Sequence, residues 1–178
     1  MNLDPYSNGS VVIACIGFGD FVSVSDVQTP GAVEYLESFQ PIARRLITES
    51  SGSELRNYLG DLTAAWASDA MGVQLRAVGA GVEIAGVLNW RIEDGGRRGY
   101  PRRQISIGMS AGPCAVQIEE DRVVDVVGRP LVAAGDLHKK SRETGVSVVI
   151  DETLFAAASA RFDVREIGAD LFSIVGIR

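Results

Sequence analysis

Few residues of this chain combine the type and the spacing that side-chain chemistry requires. Its 178 residues include one histidine, His138, and two cysteines, Cys15 and Cys114. One histidine and two distant cysteines cannot form a Ser-His-Asp or Cys-His nucleophilic set, nor a zinc site. We therefore expect His138 on the surface of a helix and both thiols reduced within the core.

Glycines and one aspartate are the next candidates for a binding site. Gly17 and Gly19 supply only the first two glycines of the G-x-G-x-x-G dinucleotide fingerprint, and the sequence has no Walker loop. Asp61 follows Gly60 between two apolar runs. Aspartate is common in a turn at such a position for structural reasons alone, so it does not by itself indicate a function. These patterns therefore indicate neither a dinucleotide site nor a P-loop.

The charge distribution argues against nucleic acid as a partner. The formal net charge is −6 and the pI is near 4.8, whereas binding to a duplex requires clustered Lys and Arg. We interpret the one basic run, Arg97, Arg98, Arg102 and Arg103, as a solvated loop. The chain has no apolar run of membrane-spanning length and its N-terminus lacks a signal-peptide pattern, so we expect a cytoplasmic protein without a membrane segment.

The hydrophobic pattern predicts the elements that must position these residues. Strands are predicted at Val11–Ile16, Leu55–Leu59, Leu62–Ala67, Gln104–Met109, Cys114–Ile118, Val123–Val127, Val146–Ile150, Arg161–Ile167 and Leu171–Ile177. Helices are predicted from Thr29-Pro30 with a bend at Pro41, from Ser68 or Asp69 through Ile92, and over Leu131–Arg142 and Asp151–Ala158.

This order of elements predicts an α+β fold. We expect a ferredoxin-like core with additions, in which a mixed, mainly antiparallel sheet has helices packed on one face. One domain should span residues 1–178, with residues 1–10 as a flexible N-terminal segment. The glycines of the second helix indicate close packing against the sheet; they are Gly72, Gly79, Gly81 and Gly86.

Four segments resemble the signatures of one family. CIGFGDFVSVS at 15–25 resembles the first-strand signature of class III adenylate and guanylate cyclases, and YLGDLTAAWA at 58–67 resembles their Gly-Asp hairpin. ISIGMSAGPCAVQ at 105–117 and DVVGRPLVAAGDL at 125–137 resemble a later strand and the strand-to-helix segment of that family. The resemblance covers nearly the whole chain. Antiphage pyrimidine cyclases share looser versions of these signatures, and the chain resembles that branch too.

The resemblance implies a dimer in which two aspartates hold two Mg²⁺ or Mn²⁺ ions on a nucleoside triphosphate. The Gly-Asp hairpin supplies Asp61, and the alignment of Phe21 with the family's phenylalanine places Gly17 at the position of the first aspartate. Gly17 and Asp61 are 44 residues apart, about the family's separation. A competing alignment makes Asp20 the first metal ligand and restores the pair.

The resemblance also assigns the base-binding and transition-state positions. The base-selecting lysine and aspartate of the family fall on Asn57 and Asp125, so that the aspartate is kept and the lysine charge is lost. The transition-state asparagine and arginine fall on Val132 and Asp136, and both are lost. Cations nearby on the same segment are expected at the solvent surface; they are Arg129, Lys139 and Lys140.

Three interpretations of these residues stay open. The first is a degenerate cyclase homology domain, dimeric and regulatory, which binds a nucleotide and has weak or no cyclase activity. The second is an active, divergent cyclase that uses Asp61 and Asp20. The third is a structural subunit that pairs with a competent cyclase or another effector and binds no nucleotide.

Overall fold

The computed structural model describes residues 6–18, 31–55, 61–67, 70–100 and 104–178. The strands are β1 Ser7–Gly17, β2 Ser53–Glu54, β3 Leu62–Ala67, β4 Ser106–Glu119, β5 Arg122–Val127, β6 Val148–Asp151, β7 Phe162–Gly168 and β8 Leu171–Ile177. The helices are α1 Ala32–Glu37, α2 Phe39–Glu49, α3 Met71–Arg97, α4 Arg129–Thr144 and α5 Glu152–Ser159.

The strands form one mixed, mainly antiparallel sheet, as predicted. Its order is β2-β3-β1-β4-β6-β8-β7, and β5 pairs with the outer half of β4. The β4–β6 pair is parallel and the other pairs are antiparallel. Strand β4 therefore lies at the centre of the sheet and also extends beyond it into a hairpin arm with β5.

The sheet is covered on both faces, whereas the sequence predicted helices on one face only. Alternate residues of β1 belong to two separate cores: Val12 and Ile16 pack in the core with α2, α3 and α5, and Val11 and Ile13 pack in a second core with α4 and the β4–β5 arm. The prediction was wrong because a strand that is apolar on both sides does not show which helix covers which side.

The backbone of α4 lies directly against β4 at Gly108. A Cβ atom on Gly108 would lie 2.0 Å from the backbone nitrogen of His138 and 2.3 Å from the carbonyl oxygen of Ala134. Such an approach is possible only for a residue without a side chain. Gly108 therefore fixes the depth at which α4 lies on the sheet.

Several predicted boundaries needed correction. The helical region after residue 31 is interrupted at Ser38 and not at Pro41, because Pro41 lies in the first turn of α2, where proline is tolerated. The strands predicted at 104–109 and 114–118 are one strand, β4. The predicted turn between β4 and β5 is confirmed: Glu120 and Asp121 both have positive φ, as in a two-residue hairpin turn.

Helix α3 continues to Arg97, beyond its predicted end at Ile92, so Arg97 of the predicted basic loop is helical. Most other elements lie close to their predicted positions. Strands β3 and β8 have the predicted bounds, and Asp151 caps α5 by accepting a hydrogen bond from the Thr153 amide. Strand β1 begins at Ser7, inside the segment expected to be flexible. The predicted helix start at Thr29-Pro30, the cap at Ser68 or Asp69 and residues 56–60 of the first hairpin lie outside the described residues.

Helix α3 is long and apolar enough, by length and composition, to be a candidate membrane span. One side of it contributes to the core on the sheet, through Val78, Ile84, Leu88 and Ile92. Of its predicted close-packed glycines, Gly81 does pack on the sheet: a Cβ there would lie 2.7 Å from the Met109 sulfur. A Cβ placed on any of the other three would have nothing within 4 Å, so these glycines face open space.

We expect Gly108→Ala to destabilise the protein by about 3 kcal/mol or more, because the new methyl group would overlap the α4 backbone. Gly135→Ala is the matched control, since nothing lies within 4 Å of its Cβ and alanine is the better helix former by about 1 kcal/mol. Urea unfolding followed by circular dichroism measures both. Equal stability of the two variants would contradict the close approach.

Candidate functional site

Gly17 and Asp61 lie opposite each other at the ends of two paired strands. In the antiparallel β1–β3 register, Cys15 pairs with Thr63 and Ile16 with Leu62, so the next pair outward is Gly17 and Asp61. These are the two positions at which the first alignment places the family's metal ligands. The structure thus brings the two positions together, and only one of them has a carboxylate.

The space beside Gly17 is filled by the imidazole of His138. A Cβ on Gly17 would lie 2.2 Å from Nε2 of His138, and that nitrogen is 2.8 Å from Oγ of Ser106. Nδ1 of His138 lies 3.9 Å from Oδ2 of Asp61. An aspartate at position 17 is therefore excluded for as long as His138 keeps this place.

His138 was predicted on the helix surface, and this was wrong: the residue is only 8% exposed. It belongs to the buried face of α4, which also includes Ala134, Leu137 and Ser141. Positions 134, 137, 138 and 141 have the i, i+3, i+4, i+7 spacing of a helix face. This spacing is the signal from which the burial of His138 could have been predicted. It was missed because His138 and Ser141 are polar and do not read as part of an apolar helix face.

The order Ser106–His138–Asp61 resembles a nucleophilic triad in its residue types only. We assign the ring proton to Nδ1, on the side of Asp61, so that Nε2 accepts the hydrogen bond from Ser106 Oγ. Ser106 is fully buried, so its hydroxyl cannot reach a substrate. The arrangement therefore positions side chains and does not supply a nucleophile.

Burial controls the protonation of the groups around Asp61. Burial lowers the pKa of His138 below its usual 6.5. The Asp61 carboxylate opposes this shift and Arg142 adds to it, so the imidazole is neutral at neutral pH.

The Cys15 thiol has a pKa of about 11, raised mainly by burial. A hydrogen bond with Thr63 lowers this pKa, and the charge of Asp61 raises it. Cys15 is thus an unreactive thiol.

Asp125 lies on the exposed side of β5 and its carboxylate is held in place from two sides. Oδ2 accepts a hydrogen bond of 2.5 Å from the Tyr6 hydroxyl, and Oδ1 accepts one of 2.8 Å from the Val126 amide. Two hydrogen bonds leave lone pairs on both oxygens for a ligand. Tyr6 could not be found from the sequence, because its contact with Asp125 depends on the fold.

The two family transition-state positions are exposed on α4. Val132 is 66% exposed and Asp136 is also exposed. Of the nearby cations, Lys140 makes an ion pair of 3.3 Å with Glu143, while Arg129 and Lys139 are exposed as predicted. The other two site candidates, Asp20 and Asn57, lie outside the described residues.

The described residues around Asp61 do not fit a two-metal centre. A pair of divalent ions requires several oxygen ligands, and the partner of Asp61 here is a neutral imidazole, whose two nitrogens face Ser106 and Asp61. Within the described ranges, no cluster of three or more His, Cys, Asp or Glu side chains could hold a metal ion.

Solved structures identify the fold. The adenylyl cyclase CyaB from P. aeruginosa has a TM-score of 0.80 and 13% identity, with 97% of each chain covered. The guanylyl cyclase Cya2 has a TM-score of 0.73 and 17% identity, covering 97% of this chain and 95% of that one. The catalytic core of a rhodopsin-guanylyl cyclase in complex with ATPαS has a TM-score of 0.64 and 15% identity, covering 97% of this chain and 99% of that one.

No protein-family model and no curated protein matches the sequence. At identities of this size, the structural likeness establishes the fold alone. The chain therefore has the fold of class III adenylyl and guanylyl cyclase catalytic domains, which confirms the predicted fold class.

The single histidine makes its protonation measurable. We expect the Hε1 proton of His138 to titrate by NMR with a midpoint below pH 6.5. Because the folded-state pKa is lower than the unfolded one, the stability contribution is complete above pH 6.5 and is lost as the pH falls towards the folded pKa. His138→Gln is the control, since it should lack this component of the pH dependence. A midpoint at or above 6.5 would contradict the buried, neutral imidazole.

Proposed function

We propose that this chain is a degenerate cyclase homology domain: a dimeric, nucleotide-binding regulatory module with weak or no cyclase activity. The observation that carries the proposal is the imidazole of His138 beside Gly17, opposite Asp61. A cytoplasmic location and a role in signalling are part of the same proposal.

The replacement of a carboxylate by an imidazole removes the electrostatic basis of cyclisation. In a two-metal mechanism, anionic ligands hold the cations that activate the attacking hydroxyl and neutralise the phosphates. Here Asp61 is the one carboxylate of the Gly17–Asp61 pair, and His138 beside it is neutral at neutral pH. Neither the ligand set nor a compensating positive charge is supplied at this position by the residues described.

The exposed side of α4 supports the same conclusion. Val132 has no hydrogen-bonding group, and the carboxylate of Asp136 would repel the phosphate charge that an arginine stabilises. Loss of one such group in other enzymes lowers the rate by about 10²–10³-fold. The loss of two groups, together with one metal ligand, supports weak or absent activity.

Nucleotide binding is supported by Asp125. Its carboxylate is exposed, oriented by Tyr6 and Val126, and retains acceptor capacity for an exocyclic amine of a base. Any Mg²⁺ or Mn²⁺ in such a complex would come with the triphosphate, and Asp61 is the described side chain at the family's metal position that could contact it.

A homodimer is supported by exposed apolar side chains on the β4–β5 arm and on α4. Ile118 and Val127 of the β4–β5 arm are 49% and 59% exposed, and Val132 of α4 is 66% exposed. Apolar groups that cluster on a surface mark interaction sites. A homodimer, or a pair with a competent cyclase, would cover these side chains.

The nucleotide proposal is tested by adding ATP, GTP, UTP or CTP with Mn²⁺ and recording the thermal shift and any cyclic product by mass spectrometry. We expect stabilisation by at least one triphosphate that bears an exocyclic amine, with product at or near the background. Asp125→Ala should abolish the shift, since it removes the base contact. Glu166→Ala is the matched control, because Glu166 is an exposed carboxylate on the edge strand β7, and we expect it to leave the shift unchanged.

The other two interpretations predict different results. Cyclic product that is lost on Asp61→Ala or Asp20→Ala would establish an active, divergent cyclase. The absence of both product and thermal shift would leave a structural subunit that pairs with another chain.

A further inference from the structure

Helix α3 presents one regular stripe of exposed positions on the side of the helix layer that faces away from the sheet. Their spacing alternates between four and three residues, which places them in a line along the helix. Seven of the eight are exposed and Gly79 is half-buried. The positions are Gly72, Arg76, Gly79, Glu83, Gly86, Trp90, Glu93 and Arg97.

A groove lies over the middle of this stripe. It has a volume of about 680 Å³, its floor includes Gly79 and Gly86, and its walls include Leu46 of α2 and Ile177 of β8. Nothing lies within 4 Å of a Cβ placed on either glycine, so neither is required by packing within the chain. Each costs about 1 kcal/mol of helix propensity relative to alanine.

A large aromatic side chain lines a second depression, which adjoins the groove at Val87. Trp90 is 66% exposed, and this depression, which is also lined by Pro41, Ile42 and Val87, continues from the groove along α2 and α3. Highly exposed tryptophan is uncommon on a protein surface, and tryptophan is enriched at interfaces. The exposed face of α3 therefore has both a depression, over Gly79 and Gly86, and a projecting side chain, Trp90.

The stripe is complementary to itself when two copies of α3 run antiparallel. With the two-fold axis midway between Glu83 and Gly86, Trp90 of one copy lies over Gly79 of the other, and Arg76 lies opposite Glu93. Glu83 then lies over Gly86. Each long side chain meets a glycine or an opposite charge, and the two-fold axis repeats every contact.

We propose that the α3 stripe is a self-association surface, which binds a second copy of this chain through antiparallel α3 helices. The occupant is a second copy because the charges and the glycines match in this register. This surface lies on the opposite side of the sheet from α4, whose exposed side includes Val132. A chain that uses both surfaces would assemble beyond a dimer.

A charge exchange tests the register. We expect Arg76→Glu and Glu93→Arg each to weaken self-association about tenfold in sedimentation velocity, because each creates two like-charge pairs. The double variant should restore the wild-type association. Residues 76 and 93 are far apart along one helix, so restoration requires contact between chains. Failure of the double variant to recover would overturn the proposal.

Filling the groove tests the surface independently of charge. Gly79→Leu fits the open space of the single chain and favours the helix, so the fold should be kept or stabilised, as circular dichroism can verify. The same change should lower the assembly mass and remove the concentration-dependent blue shift of Trp90 emission. Trp66 is only 1% exposed, so its emission should stay constant.

A matched variant on the opposite side of the sheet separates this proposal from the dimer of the proposed function. Val132→Glu should leave the Trp90 blue shift unchanged. The proposal is overturned if the wild-type protein is monomeric, if Gly79→Leu leaves mass and emission unchanged, or if Val132→Glu alone removes all association. In the last case the dimer of the proposed function would still stand.

Discussion

The contact between the α4 backbone and Gly108 is the constraint on which the candidate site depends. Because position 108 has no side chain, the helix lies close enough to β4 for His138 to reach between Gly17 and Asp61. The absence of a side chain at Gly17 then leaves room for the imidazole. Two glycines on neighbouring strands therefore create the pocket that one histidine fills.

Helix α4 links the packing of the domain to its chemistry. Its buried side stabilises the second core and delivers His138, while its exposed side presents Val132 and Asp136. The sheet and helices of the cyclase fold are complete here, whereas the two positions that the alignment assigns to the transition state hold a valine and an aspartate. The fold comes from apolar burial over the whole chain, whereas catalysis depends on a few polar groups, so the two can be separated by few substitutions.

Much of the fold could be predicted from the sequence, since apolar runs and turn residues are local signals. Strand Leu171–Ile177 and the two-residue turn at Glu120 are examples. The choice of sheet face for α4 could not be predicted, because it is set by packing between distant segments. Gly17 could be singled out only by alignment to a family. The position of His138 beside Gly17 could not be predicted, because it depends on the β1–β3 register and on how closely α4 packs against β4.

The proposed function depends on His138 taking the place of a second metal-binding carboxylate beside Gly17. The most direct measurement is Mn²⁺ binding by electron paramagnetic resonance to the wild type, His138→Ala, Gly17→Asp and the double variant. We expect that only the double variant, with two facing carboxylates and free space, binds Mn²⁺ about tenfold more tightly than the wild type. Binding of equal strength by the wild type would contradict this role of His138.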